Sequence, residues 1–352
     1  MTSELSRLPV AAEWSRSAGP DHDVAVATRM RLSRNLSGLP YPQTAPDHER
    51  AAAVDAVLAA IREELTPEPF GADSYELHPS GFSESERRFL AERSFSDDAT
   101  PARVMVTPEE NLALVVGGVD HLRIVALAAG SDFENALNRA RRIDCTLEKK
   151  LNYAVAMDWG YLAADIANLG TGLRASVLVH VPALALLGRL ESMATSMDNS
   201  GYELIPFFAD EGYDSSGSSL CLLRNLRTLG SDEDAIVGKL EEYTSKLVHY
   251  ERAARDELRA ARGEEIADSA NRALGILRFA RSLSAVEARS LVSHLRLGIV
   301  AGLVSGVAVE AVTTLLLINQ QSHIERNASE GEGEIDAVRA RVFRDVLGAG
   351  QA

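Results

Sequence analysis

The stretch 168–177, reading Asn-Leu-Gly-Thr-Gly-Leu-Arg-Ala-Ser-Val, constrains this chain more than any other. Gly170 and Gly172 permit positive φ and a close approach of backbone to a ligand, and Arg174 follows where an apolar run begins. A phosphate site can be built this way, and so can an ordinary turn. The neighbouring segments bear on the choice.

A β-prone run at 24–35 carries Arg29, Arg31 and Arg34. In an extended segment residues 29 and 31 point to one side, so two guanidinium forks can converge on one polyanion; a solvated basic stripe is the alternative. Runs at 103–107 and 112–116, separated by Pro108 to Asn111, read as a hairpin, and 119–127 as a further strand. Residues 174–187 begin as strand and pass through Pro182 into helix. Strand candidates at 202–208 and 220–226 flank an acidic, Gly/Ser-rich loop at 209–219, read either as a mobile lid or as a surface loop without a task.

Helical periodicity marks 46–65 and 133–152, and Ser83 with Glu86 signals a capped helix containing Phe89 and Leu90. After the acidic cap at 231–234, apolar residues recur at spacings of four and three, and beyond Gly263 the pattern is almost entirely helical. Gly331 and Gly333 interrupt it before a last helix at 335–347. The length suggests two or three domains: a small helical unit at 1–85, a sheet domain with the pocket at 86–255, and a helical domain at 256–352.

A net charge of −15 argues against a general nucleic-acid binder but leaves room for a local basic pocket. Cys145 and Cys221 are too few for a disulfide framework and wrongly spaced for zinc, which suits a reducing cytoplasm; no metal ligands are assigned. Residues 1–9 contain Glu4 and no apolar core, so no secretory signal is expected. The apolar stretch 297–319 reads as a buried helix and not a membrane span, because Glu310 is costly in a bilayer. Its glycines at 298, 302 and 306 are expected to let another helix pack close.

Arg29, Arg31, the segment Asp120-His121-Leu122-Arg123 and the stretch 168–177 together resemble the ATP:guanido phosphotransferases, and the protein arginine kinase branch fits best. The segments 147–154, 159–162 and 228–231 and the helical tail with Leu295-Arg296-Leu297-Gly298 support that branch. The resemblance runs in one order from Trp14. It implies an α+β protein with a central antiparallel sheet flanked by helices, ATP with Mg²⁺ as the phosphoryl donor, and protein arginine as the acceptor. It also implies a zinc-binding activator, a link to regulated proteolysis, and leaves room for a homodimer. Transfer requires the phosphate charge to be neutralised, and Arg29, Arg31, Arg123 and Arg174 occupy the family's phosphate-binding positions. Thr28, Ala175 and Ser176 lie beside them as nucleotide-contacting positions.

The sequence departs from the family pattern at several positions. The family's Asn-Glu-Glu before Asp-His-Leu-Arg is Gly117, Gly118 and Val119 here, so the catalytic base is a valine. Glu211 retains the other carboxylate, but the phosphate-binding arginine of that loop is Pro206. The family cysteine is Asp165, the histidine expected near adenine is Arg93, and the phosphoarginine-sensing motif begins at Ile335 instead of arginine. Two readings follow. One is a pseudokinase with impaired transfer that keeps its arginine cluster. The other is a working kinase with Glu211 and Asp165 as its carboxylates.

Overall fold

Among the described residues ten short extended segments build the β structure: β1 Ala25–Arg34, β2 Tyr75–Leu77, β3 Arg103–Val106, β4 Leu112–Val116, β5 Leu122–Ala129, β6 Val155–Ala156, β7 Gly160–Tyr161, β8 Leu173–His180, β9 Tyr202–Pro206 and β10 Leu220–Asn225. The computed structural model describes residues 3–9, 11–95, 101–198, 200–208, 210–214, 217–328 and 333–348. Ala209, Ser215 and Ser216 of the expected lid, and Gly331 and Glu332 of the expected break, lie outside the described residues. Eight strands form one sheet in the order β2-β3-β4-β5-β1-β8-β10-β9, and every pairing is antiparallel. The short hairpin β6–β7 stands apart from it.

Side chains alternate across a pleated strand, and here the two faces meet different neighbours. Met30, Leu32, Ile124, Ala126, Val177 and Leu223 point into one core with the helices Asp47–Glu64, Phe133–Glu148 and Glu233–Phe279. Each such fully buried Leu, Ile or Met contributes about 2 kcal/mol. On the opposite face Val125, Leu127, Leu178 and Leu220 are covered by Val292, Leu295 and Leu316 of the C-terminal helices. That cover extends over only part of the face. The remainder, where residues 29, 31, 123 and 174 project, is open.

Residues 1–85 do not form a separate helical unit, because they supply β1, which sits between β5 and β8, and the edge strand β2. A strand with two neighbours cannot leave the sheet without exposing both rows of backbone hydrogen-bonding groups. The expected boundary at 255 falls inside the helix Glu233–Phe279, whose one irregular residue is Arg262, with φ −140° and ψ 28°. The stretch 297–319 is two helices, Ala285–Val300 and Val309–Ile318, joined by a turn. Gly298 serves close packing as expected, since a Cβ there would lie 2.3 Å from that of Ala270. Gly302 and Gly306 instead adopt positive φ, 71° and 84°, in the turn. Among the described residues no helix is long and apolar enough to cross a membrane.

Two polar anchors tie the C-terminal helices to the start of β1. Arg296 is buried and donates to the carbonyls of His22 at 2.6 Å and Asp23 at 3.0 Å, to Thr313 Oγ1 at 2.9 Å, and meets Nδ1 of His180 at 2.9 Å. Asp23 is gripped by Arg252 at 2.6 Å and Arg255 at 2.9 Å. Burial by itself raises the Asp23 pKa, but the hydrogen bonds and charges of Arg252 and Arg255 overcome it and hold the carboxyl at about 2 against an ordinary 3.8. A carboxylate whose pKa is depressed by folding stabilises the fold above its unfolded pKa, and that contribution is lost as pH falls through the folded value. The stability difference between the wild type and Asp23→Asn should therefore shrink by about 2 kcal/mol between pH 5 and pH 2. Urea unfolding at pH 5, 3.5 and 2 tests this, and a pH-independent difference would exclude it.

Candidate active site

The open part of the sheet is a cavity of about 330 Å³ whose lining includes Arg29, Arg31, Arg123, Arg174, Arg224 and Asp165. Four strands deliver the arginines. Arg29 and Arg31 project from β1 on the side opposite Met30 and Leu32, as the period of two requires. In the β1–β8 register Arg31 faces Arg174 and Arg29 faces Ser176, while in the β1–β5 register Ser33 faces Arg123. Like charges directly opposite each other across strands are destabilising. The arrangement is thus suited to a polyanion that bridges strands, and guanidinium forks match phosphate oxygens in pairs. Arg34, the third arginine of the run, points to the other face and is consumed by Asp144, with Nε 3.0 Å from Oδ1.

Arg174 is held from behind. Its Nε donates to Asn168 Oδ1 at 3.0 Å and its Nη1 to the carbonyls of Asn225 at 2.9 Å and Leu226 at 3.2 Å. Burial chiefly, and then the nearby Arg224, lower its pKa, while Asp165 and Glu203 act to raise it. The two glycines preceding it adopt positive φ, 99° at Gly170 and 67° at Gly172. What they approach is the protein itself. A Cβ at Gly170 would lie 2.5 Å from the Thr228 carbonyl oxygen, and one at Gly172 would lie 2.7 Å from that of Ser33. The Gly-Thr-Gly turn sets the position of Asn168 and Arg174, and its glycines do not line the arginine cavity.

The turn before β5 is anchored in the same manner. Asp120 Oδ1 accepts from Asn35 Nδ2 at 2.7 Å and from the Ala164 N–H at 3.0 Å. His121 Nδ1 accepts from the Leu36 N–H at 3.0 Å, leaving Nε2–H to donate to the Pro40 carbonyl at 3.1 Å. Burial lowers the His121 pKa, consistent with a neutral ring. Of the Asp-His-Leu-Arg segment, Arg123 alone among these polar residues lines the cavity. Val119, at the position where the resemblance expects a base, lines it too and brings no proton acceptor in its side chain.

The other expected site residues divide. Asp165 is exposed and is the one carboxylate among the described residues lining the cavity, with Oδ1 accepting from the Ala167 N–H at 2.9 Å. Ser176 lines the cavity wall, and Ala175 reaches the wall while its N–H donates to Asn225 Oδ1 at 2.8 Å. Thr28 is not in that lining: it is fully buried on the helix-covered side of β1, donating to the Gly130 carbonyl at 2.8 Å. Glu211 is not brought to the arginines either. Its carboxylate pairs with Arg289 Nε at 3.0 Å and accepts from Ser218 Oγ at 2.6 Å, so a C-terminal helix has claimed it. Arg93 is likewise buried away from the cavity, paired with Glu110 at 2.6 Å and stacked over Phe89.

Arg224 escaped sequence reasoning. It is a half-exposed side chain on β10, opposite Ser176 of β8, and its guanidinium pairs with Glu203 of β9. The alternation of apolar residues along 220–225 could have marked it as projecting to the same side as Leu220 and Leu222. Among the described residues no group of three or more His, Cys, Asp or Glu side chains is placed to hold a metal ion. Mg²⁺ takes most of its ligands from water and phosphates with one or two carboxylates. Asp165 is the one carboxylate in this lining, so the residues fit a metal that arrives with a nucleotide and not a resident ion.

A central antiparallel sheet packed between helices is the fold this chain shares with guanidino kinases of solved structure. The solved duplicated taurocyamine kinase from Schistosoma mansoni, with bound transition state analog components, shares it with a TM-score of 0.55 at 21% identity over 69% of this chain. This chain spans 35% of that duplicated protein. In sequence, residues 80–254 match the family model described as ATP:guanido phosphotransferase, C-terminal catalytic domain, and 263–352 match that of the protein-arginine kinase McsB C-terminal domain. The irregular residue of the long helix, Arg262, lies between the two matches and immediately precedes the second. The protein-arginine kinase of Halothermothrix orenii is 31% identical over 323 residues, 90% of each chain. That of Desulforamulus reducens is 30% identical over 344 residues, 96% of this chain and 95% of its own. The chain belongs to the ATP:guanido phosphotransferase family and, within it, to the protein-arginine kinases.

Proposed function

We propose that this chain retains the phosphate-binding half of a protein-arginine kinase and has lost most of the transfer half. It is a pseudokinase that binds MgATP or MgADP through its arginines and acts on arginine- or phosphoarginine-bearing proteins by binding them. The observation that carries this reading is Val119 in the cavity lining, together with Glu211 held outside it by Arg289 and Ser218. An arginine guanidinium keeps its proton to a pKa above about 12. To attack the γ-phosphorus it must give that proton to a base as the bond to ADP breaks. A missing positioned base costs about 10²- to 10⁴-fold in rate.

A second reading has a specific observation in its favour. Asp165 does line the cavity and is exposed, so it could clamp the guanidinium and take its proton without Glu211. Calorimetric titration of MgATP and MgADP into the protein, followed by a phosphoarginine assay with an unfolded protein substrate, separates the two. Nucleotide binding without phosphoarginine supports the pseudokinase. Phosphoarginine that disappears in Asp165→Asn overturns it and establishes a kinase with a rearranged base. Absence of nucleotide binding would sink both readings.

A further inference from the structure

Ser176 stands between two arginines on the cavity floor. Residues directly opposite each other on paired strands carry their side chains on the same face. The registers run from Arg29 to Ser176, from Ser176 to Arg224 and from Arg224 to Glu203, across β1, β8, β10 and β9. Arg29 and Arg224 therefore flank Ser176, their Cα atoms two strand spacings or about 10 Å apart. Arg31 and Arg174 form the next pair along β1 and β8. Arg29, Arg31, Arg174, Ser176 and Arg224 all line the cavity.

Arg224 differs from Arg174 in what holds it. Arg174 is fixed by neutral acceptors, the Asn168 side chain and the carbonyls of Asn225 and Leu226. Arg224 pairs instead with the Glu203 carboxylate. Glu203 belongs to the edge strand β9 and is not among the lining residues, so it holds the guanidinium from outside the cavity. The two side chains are 41% and 21% exposed, and an ion pair this open to water contributes little. A phosphate offers the same guanidinium a more highly charged partner, with two oxygens placed to match its fork. The charge of Arg224 also reaches the cavity: after burial it is the next cause lowering the Arg174 pKa.

The corner that Arg224 occupies narrows its role. Arg123 faces Ser33, whereas Arg224 is level with residue 29, and the strand order β5-β1-β8-β10 separates them by three spacings. Their Cα atoms are thus offset by about 14 Å both along and across the sheet, more than one phosphoryl group spans. Val119 lies at the Arg123 corner, in the turn that leads into β5. Arg224 is at the corner diagonally opposite.

We propose that Arg224 is a further phosphate ligand of this cavity, holding the diphosphate that stays with the nucleotide, and that Glu203 is its resident counter-ion, displaced when the nucleotide binds. This rests on the reading of the cavity as a nucleotide site. Glu203, already part-exposed on the edge strand, is hydrated once displaced. Nucleotide affinity is then set against a carboxylate of the chain itself.

Isothermal titration of MgADP and MgATP into the full chain at 150 mM salt tests this. Arg224→Ala should weaken both nucleotides about tenfold, and Arg224→Lys should recover part of the loss, since it restores the charge without the fork. Glu203→Gln should bind both about threefold more tightly, the scale of an exposed ion pair no longer to be broken. That gain should be absent when Glu203→Gln is added to Arg224→Ala. Screening over about 8 Å at this salt suppresses a direct effect of the carboxylate on the ligand. No gain in Glu203→Gln, or the same gain with and without Arg224, overturns the exchange. A loss confined to MgATP overturns the assignment to the diphosphate. Unchanged affinity in Arg224→Ala beside weakened affinity in Arg174→Ala overturns this inference and leaves the cavity reading standing. Unchanged affinity in both variants overturns the two together.

Discussion

Arg174→Ala is expected to weaken binding of MgATP and MgADP by about a hundredfold, which is the loss of one charge-assisted phosphate contact worth about 3 kcal/mol. The magnitude is large because Arg174 is pre-organised: Asn168 and the carbonyls of Asn225 and Leu226 hold its guanidinium before any ligand arrives. Little side-chain entropy is then lost on binding. Arg174→Lys keeps the charge but not the fork, and is expected to recover only part of the affinity. Isothermal titration of both variants checks this, and undiminished affinity in Arg174→Ala would remove the cavity from nucleotide binding. Arg31, directly opposite on β1, provides the internal comparison.

Val119→Glu should raise phosphoarginine formation by about 10²- to 10⁴-fold over the wild type, the usual contribution of a positioned base. Position 119 suits the substitution because it lies in a half-buried turn whose geometry is set by other atoms. The Gly117 N–H donates to the His121 carbonyl at 2.9 Å, and the Val119 carbonyl accepts from Gln43 Nε2 at 2.7 Å. Asp120 and His121 are anchored independently of the side chain at 119. Single-turnover assays with excess protein over labelled ATP give the readout. No gain either in Val119→Glu or in the double variant Val119→Glu, Pro206→Arg would count against the proposal that a missing base and a missing phosphate ligand limit transfer. Wild-type activity comparable to the variant would favour Asp165 as the working base.

Several site features were accessible without coordinates and several were not. The strand at 24–35 and the shared side of Arg29 and Arg31 follow from a period of two, and the sheet carries both into one cavity. The positive φ of Gly170 and Gly172 is also a local property, but the surfaces they approach belong to β1 and to the loop after β10. Glu211 has the right residue type at the aligned position, yet Arg289, 78 residues further along the chain, takes its carboxylate. Thr28 adjoins Arg29 in sequence and faces the other way for the same reason that Arg29 and Arg31 agree. Arg224 was missed because its relation to the cavity depends on the pairing of β10 with β8.

By itself the sequence determined the family, the helix and strand periods and the residue type at position 119, because each depends on residue type and spacing within a few turns of chain. The tertiary structure alone decided that β1 sits at the centre of the sheet, that helices cover one face and only part of the other, and which carboxylates remain for chemistry. Those outcomes depend on through-space pairing of groups such as Asp23 with Arg255 and Glu211 with Arg289. Burial and competition among such partners set the energy of each charge, and neither is encoded in local spacing.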